Sequence, residues 1–260
     1  MDKMIIGLVF PVYNEEHGIE VALKNIKESV DAFPQHAFKI YTSDDCSTDN
    51  TYQALNDWGK TYNLDMVIHK GEMNIGAAQT SKRTFQRIEK TPDITHVIKM
   101  DLDADLNQRA VIKKMIPYVN TPIDFAVGIR NIEINRNEDT EYEHLRREDM
   151  QRILREEFSL VQFDAASLGC LFLNRQYLHT LLEYSAVANH DKRWGWEMVC
   201  LLSTVHAKGI PPIIQIKDCV YSLSRRPKEK IDDQYDIDIE TVANLTGKNP
   251  QSLSSFYSKK

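Results

Sequence analysis

The sequence predicts an α/β chain: a mostly parallel sheet flanked by helices on both faces. Two observations predict it. Short apolar runs alternate with longer amphipathic segments through roughly the first 130 residues, and strand–helix alternation is the pattern of parallel sheets. Each run also ends in a polar cluster, and in such sheets ligands bind beyond the carboxyl ends of the strands.

The elements follow in order. Ile5 to Phe10 reads as a buried strand ending at Pro11. A helix over roughly Gly18 to Ala32 carries Ile19, Leu23, Ile26 and Val30 at helical spacing. Phe38 to Ser43 is a second strand, and Ser47, Thr48 and Asp49 supply N-cap residues for a helix starting near Asp49. Leu64 to His69 is a third strand, Gly76 to Glu89 a helix, and Ile94 to Met100 a fourth strand. The second half is less regular. Phe125 to Ile129, Cys170 to Leu173 and Ile213 to Val220 read as strands; Glu141 to Val161, Arg175 to Glu183 and Glu197 to Lys208 read as helices. The expected organisation is one main domain over 1–230 and a C-terminal helical extension and tail over 231–260, loose from Gly247 onward.

The 260 residues, 42% of them hydrophobic, suffice for a substantial core. The net charge of −6 argues against a nucleic-acid partner. It leaves room for a nucleotide, because a divalent ion offsets phosphate charge locally. Cys46, Cys170, Cys200 and Cys219 are widely spaced and form no CxxC pair, which argues against zinc and for reduced thiols. No stretch reaches about 18 uninterrupted apolar residues, so the expectation is a cytoplasmic protein without a transmembrane segment, at most peripheral to a membrane.

Five clusters carry chemistry. Asp101, Asp103 and Asp105 follow the fourth strand; converging carboxylates repel unless a cation sits between them, and Mg²⁺ or Mn²⁺ suits their hard oxygens. Asp44 to Asp49 follows the second strand. Helix capping accounts for Ser47 to Asp49 but not for adjacent aspartates at a strand end. Pro11-Val-Tyr-Asn-Glu-Glu16 follows the first strand, and Asn74-Ile-Gly76 opens a helix; a turn with acids near a helix N-terminus also explains the first, and a turn alone the second. Trp194-Gly-Trp-Glu197 places two tryptophans beside a carboxylate, an arrangement for a general base beside a sugar-stacking wall. The same residues also suit half-core tryptophans with a capping acid, and the sequence leaves both open. GxGxxG, P-loop, HExxH and GxSxG motifs are absent.

Together Pro11-Val-Tyr-Asn-Glu15, Asp44-Asp45-x-Ser47-Thr48-Asp49, Asn74-x-Gly76 and Asp103-Ala-Asp105, in that order, resemble glycosyltransferase family 2, whose fold is GT-A, a Rossmann-like, mostly parallel sheet. Asp124 to Arg130, Asp164-Ala-Ala-Ser167, Glu197, the strand Ile213 to Val220, and Arg225-Arg226 resemble the dolichol-phosphate-mannose-synthase-like and polyprenyl-phosphate branch. The resemblance implies an inverting transfer from a nucleoside-diphosphate sugar to a saccharide hydroxyl or lipid-phosphate acceptor, with Mg²⁺ or Mn²⁺ as cofactor. By position, Pro11, Tyr13 and Glu15 would line the nucleotide pocket, with Asn74 beside it, and Asp45 would meet the base. Asp103 would sit near the ribose and diphosphate, Asp105 would hold the metal, and Asn107 falls where some relatives add a ligand. Arg130 and Arg225 would neutralise phosphate. Glu197 would be the base, with Asp103 in the catalytic group. Leu168-Gly169 in place of Gly-Phe, and Met198 in place of an Asp after Glu197, depart from the pattern and leave the acceptor type open. The alternatives are a polyprenyl-phosphate transferase peripheral to the membrane's inner face, a nucleotidyltransferase lacking the usual Gly-rich basic loop, and a catalytically silent nucleotide-binding domain.

Overall fold

Strand β1 (Ile5–Val12) is apolar almost throughout because both of its faces are covered. In the computed structural model the described residues are 3–102, 108–132, 138–160, 168–184, 196–210, 212–222 and 228–257. Among them β2 (Ala37–Asp44), β3 (Met66–Lys70), β4 (His96–Met100), β5 (Phe125–Ile132), β6 (Leu168–Asn174) and β7 (Ile213–Ser222) join β1 in one sheet, ordered β3-β2-β1-β4-β6-β5-β7. Only β6 runs against its neighbours β4 and β5; the other described strands share one direction. The expected mostly parallel α/β architecture is the one observed.

Alternation along β1 sorts the core into two layers. Ile6, Leu8, Phe10 and Val12 face α1 (Ile19–Asp31), α2 (Thr51–Thr61) and α4 (Gln108–Met115). Val9 faces the opposite layer, which holds α3 (Ala77–Glu89), α5 (Glu138–Phe158), α6 (Leu178–Tyr184), α7 (Trp196–Lys208) and α8 (Lys228–Thr246). Helix α1 buries Ile19, Ala22, Leu23 and Ile26, the stripe its sequence spacing predicts.

The helix after the aspartate cluster, to which the sequence assigns no bounds, is α4; Val111, Ile112 and Met115 bury one side of it against β4 and β7. Two expectations need correction. Helix α5 stops at Phe158 rather than Val161, because Ser159 takes a left-handed φ of 57° and Leu160 N–H turns back to the Leu154 carbonyl. The tail after Gly247 is not loose over its described length. A short helix, α9 (Pro250–Leu253), buries Leu253 in the same core as α8. Arg152 Nη2 donates to the Leu253 carbonyl at 2.7 Å, and the Tyr235 and Ser254 hydroxyls meet at 2.5 Å. The Arg146 guanidinium lies between the rings of Tyr142, Tyr235 and Phe256, at 4.5, 5.3 and 4.6 Å.

At the opposite edge of the sheet from the strand carboxyl ends, His96 is 6% exposed and stacks on Phe172. Burial pushes its imidazole from the ordinary 6.5 down to about 4, against a smaller opposing pull from Asp124. Below about 6.5 the unfolded chain takes up this proton and the folded chain does not. Stability is therefore expected to fall as pH drops from about 6.5 toward about 4. Urea midpoints across that range check this, and His96→Gln should flatten the dependence.

Candidate active site

The loops after β1, β2 and β3 meet at the carboxyl edge of the sheet and are stitched to one another. Asn14 sits in the left-handed region at φ 56°, which asparagine tolerates, and its Oδ1 accepts from Thr48 N–H at 2.9 Å. Asn14 N–H donates to Ser47 Oγ at 2.9 Å and Glu15 N–H to Thr51 Oγ1 at 2.7 Å. Glu16 receives the Asn50 side-chain amide at 2.8 Å, while Glu16 N–H donates to Asp49 Oδ2 at 3.2 Å. Hydrogen bonds from Asn50 hold the exposed Glu16 carboxyl below its usual range. Asp49 Oδ1 accepts from both Thr51 N–H and Thr51 Oγ1, so it serves the start of α2 although Asn50 is the N-cap residue.

Asp44 and Asp45 have different partners. Asp44 is fully buried and accepts from the backbone and hydroxyl of Ser47 through Oδ1. Its Oδ2 is buried without a hydrogen-bond partner among the described residues. Asp45, 4% exposed, accepts from Ile75 N–H at 2.9 Å and from Gly76 N–H at 2.7 Å. It clamps the third loop at the start of α3, where Gly76 has a φ of 84°. The expected base contact of Asp45 would therefore share a carboxylate already engaged by two backbone donors. Gly71 belongs to the same clamp: a Cβ there would stand 2.8 Å from the Asp44 carbonyl, closer than side chains tolerate. Asn14 and Gly71 have no expected role of their own; their signal in the sequence is the tolerance of Asn and Gly for strained or crowded backbone.

The other expected residues are placed unevenly. Pro11 pairs with Ser43 in the β1–β2 register, half-buried at the strand end. Tyr13 is 44% exposed, Glu15 is half-buried, and Asn74 is exposed on the third loop. These residues and Asp45 therefore share the carboxyl edge of β1, β2 and β3. Arg130 lies near the end of β5 and Glu197 in the first turn of α7; the positions of their side chains are outside the described set. Asp103, Asp105, Asn107 and Arg225 lie outside the described residues. At the β4 exit, Asp101 Oδ1 is paired with the buried Lys99 ammonium at 2.6 Å, and Asp101 is the one carboxylate of the 101–105 cluster among the described residues. Among the described residues no group of three His, Cys, Asp or Glu side chains is placed to hold a metal.

Removing the Asp45 carboxylate is expected to orphan the Ile75 and Gly76 N–H groups. Asp45→Ala should cost about 2–3 kcal/mol in a urea titration and speed hydrogen exchange at residues 71–76. Asp45→Asn, which keeps one acceptor oxygen, should cost less.

Against known proteins, the model of glycosyl transferase family 2 matches residues 8–182, which include the loops after β1, β2 and β3 and the aspartates 101–105. The chain belongs to glycosyl transferase family 2. It is a glycosyltransferase of GT-A type. Similar solved structures include glucosyl-3-phosphoglycerate synthase of Mycobacterium tuberculosis, with TM-score 0.63 and 18% identity over 95% of this chain and 82% of that one. Mannosyl-3-phosphoglycerate synthase of Rubrobacter xylanophilus gives 0.62 and 13% over 92% and 73%. A mannosyltransferase of Pyrobaculum calidifontis, in complex with GDP-Man and Mn²⁺, gives 0.58 and 15% over 94% and 63%. The Mycobacterium enzyme is also known in complex with Mn²⁺, UDP and phosphoglyceric acid. No curated protein sequence matches the chain.

Proposed function

We propose that this family 2 enzyme is an inverting transferase that moves a sugar from a nucleoside-diphosphate donor, bound at the carboxyl edge of β1 to β4, to a saccharide hydroxyl or lipid-phosphate acceptor. The observation that carries this reading is the mutual stitching of the loops after β1, β2 and β3 around Asp44 and Asp45. These loops border the exit of β4, which is hydrogen-bonded directly to β1 and leads into Asp103 and Asp105. In this reading Pro11, Tyr13, Glu15, Asn74 and Asp45 form the nucleotide wall.

The donor chemistry at 103–107 fits a hard divalent ion: two carboxylates and one amide oxygen, with Asp101, one oxygen of which pairs with Lys99, beside them in sequence. Asp103 and Asp105 would hold Mg²⁺ or Mn²⁺, with Asn107 beside them. When bound, the ion offsets diphosphate charge on the leaving group. Arg130 and Arg225 add cationic contacts to phosphate. Glu197, at the head of α7, takes the proton from an acceptor hydroxyl as it attacks the anomeric carbon from the face opposite the diphosphate. The 1–230 segment is the catalytic unit in this reading, and 231–260 is the extension that closes its α5–α7 side.

A lipid-phosphate acceptor is the second reading. It is favoured by the likeness of Asp124 to Arg130 and of Asp164 to Ser167 to the dolichol-phosphate-mannose-synthase-like branch. In this reading the acceptor is met at the membrane surface; no helix among the described residues is long and apolar enough to cross a membrane. Transfer of labelled sugar to saccharides and to a polyprenyl phosphate in vesicles separates the two. Product on neither acceptor, with the donor bound, would favour a silent nucleotide-binding domain instead. Release of pyrophosphate rather than nucleoside diphosphate would favour a nucleotidyltransferase.

A further inference from the structure

A second polar cluster lies on the face of the sheet that α3 covers, at its β3 edge, outside the loops assigned to the donor. Ser43 and His69 are register partners across β2 and β3, so their side chains share that face. The Ser43 and Thr84 hydroxyls are 2.7 Å apart, which ties the face to α3. Arg83 and Arg87 stand one turn apart on α3, and Arg87 Nη1 donates to Ser43 Oγ at 3.0 Å. His69 is close enough to feel both arginines, with Glu72 as an opposing acid.

The charge here is not neutralised from within. Among the described residues, Arg83 and Arg87 have no carboxylate within ion-pair distance, and Arg87 uses a single hydrogen bond although it is half-buried. Burial and the neighbouring Arg83 both push its guanidinium down. Holding a half-buried cation next to a second cation is costly unless an anion joins them, and two guanidinium forks match phosphate oxygens in geometry. Val67, two residues before His69 on the same face, is exposed, so the cluster has an open approach.

We propose that Arg83, Arg87, His69 and Ser43 form a binding site for a phosphoryl group, carried by a free phosphate or by a lipid headgroup, separate from the donor site. The test titrates inorganic phosphate into the full chain in the presence of EDTA, at matched chloride ionic strength, and follows the His69 ring resonances by NMR. A saturable shift is expected in the wild type and in Asp105→Ala, which separates this site from the donor site. Arg83→Gln and Arg87→Gln should weaken it roughly ten-fold each, the loss of one charge-assisted contact. Arg83 is exposed, so its variant is expected to stay folded. Sedimentation with phosphatidylcholine vesicles, with and without phosphatidic acid, distinguishes the sources. Arg83-dependent capture by phosphatidic acid assigns a headgroup, and phosphate binding without capture assigns a free phosphate. Affinity unchanged in both arginine variants, or neither a saturable shift nor Arg83-dependent capture, overturns the site.

Discussion

Asp105→Ala is expected to abolish Mn²⁺-dependent donor affinity and to cut transfer by roughly three orders of magnitude. The reasoning starts from charge. Asp103 and Asp105 are two residues apart just beyond β4, and close carboxylates repel without a cation between them. A donor diphosphate brought to the same edge adds further negative charge. A divalent ion is worth several kcal/mol to such a leaving group, and each 1.36 kcal/mol is about ten-fold in rate. Nucleotide-sugar affinity measured with Mn²⁺ and with EDTA, alongside steady-state transfer, checks the prediction. Far-UV circular dichroism should be unchanged. Retained Mn²⁺-dependent affinity in the variant would remove Asp105 from the metal role.

The second large effect is expected at Glu197. The buried residues Met198 to Leu202 anchor α7 in the core, so its first turn has a fixed base on which to carry a reacting group. Glu197→Gln is nearly isosteric and should leave stability and donor affinity unchanged. With a hydroxyl acceptor it should slow transfer by about 10²–10⁴, the usual contribution of a general base. With a phosphate acceptor, already ionised at neutral pH, the loss should be small. The substitution therefore also reports the acceptor class. Normal turnover on a saccharide would assign Glu197 a structural role.

The strands were legible because parallel strands covered on both faces need apolar runs, and the runs starting at Ile5 and Phe125 meet that need, while those at Phe38 and Ile94 bury Thr42, Ser43, His96 and Lys99 among their apolar residues. The bounds of helix α4 were not legible, because Val111, Ile112 and Met115 make only a narrow stripe among lysines and its start follows the carboxylate cluster. The packed tail was hidden for a different reason. Its partners, Arg146, Asp149 and Arg152 on α5, lie about a hundred residues earlier, and their charged pattern reads as a solvated face. At the site, residue types and strand ends could be read directly. What could not be read was the division of labour between Asp44 and Asp45, since the Ile75 and Gly76 donors that engage Asp45 lie about thirty residues away and belong to the backbone. The pairing of Lys99 with Asp101 was equally silent, because a lysine within an apolar strand gives no sign of where its ammonium turns.

Thermal denaturation with UDP-, GDP- and dTDP-sugars, each with Mn²⁺ and with EDTA, tests the donor site most directly. At a hundred-fold excess over Kd, one of these donors is expected to raise Tm on the order of 5 °C with Mn²⁺, and the rise should vanish with EDTA. No rise with any donor, or an equal rise in EDTA, would contradict a divalent ion held against the diphosphate at the β4 exit.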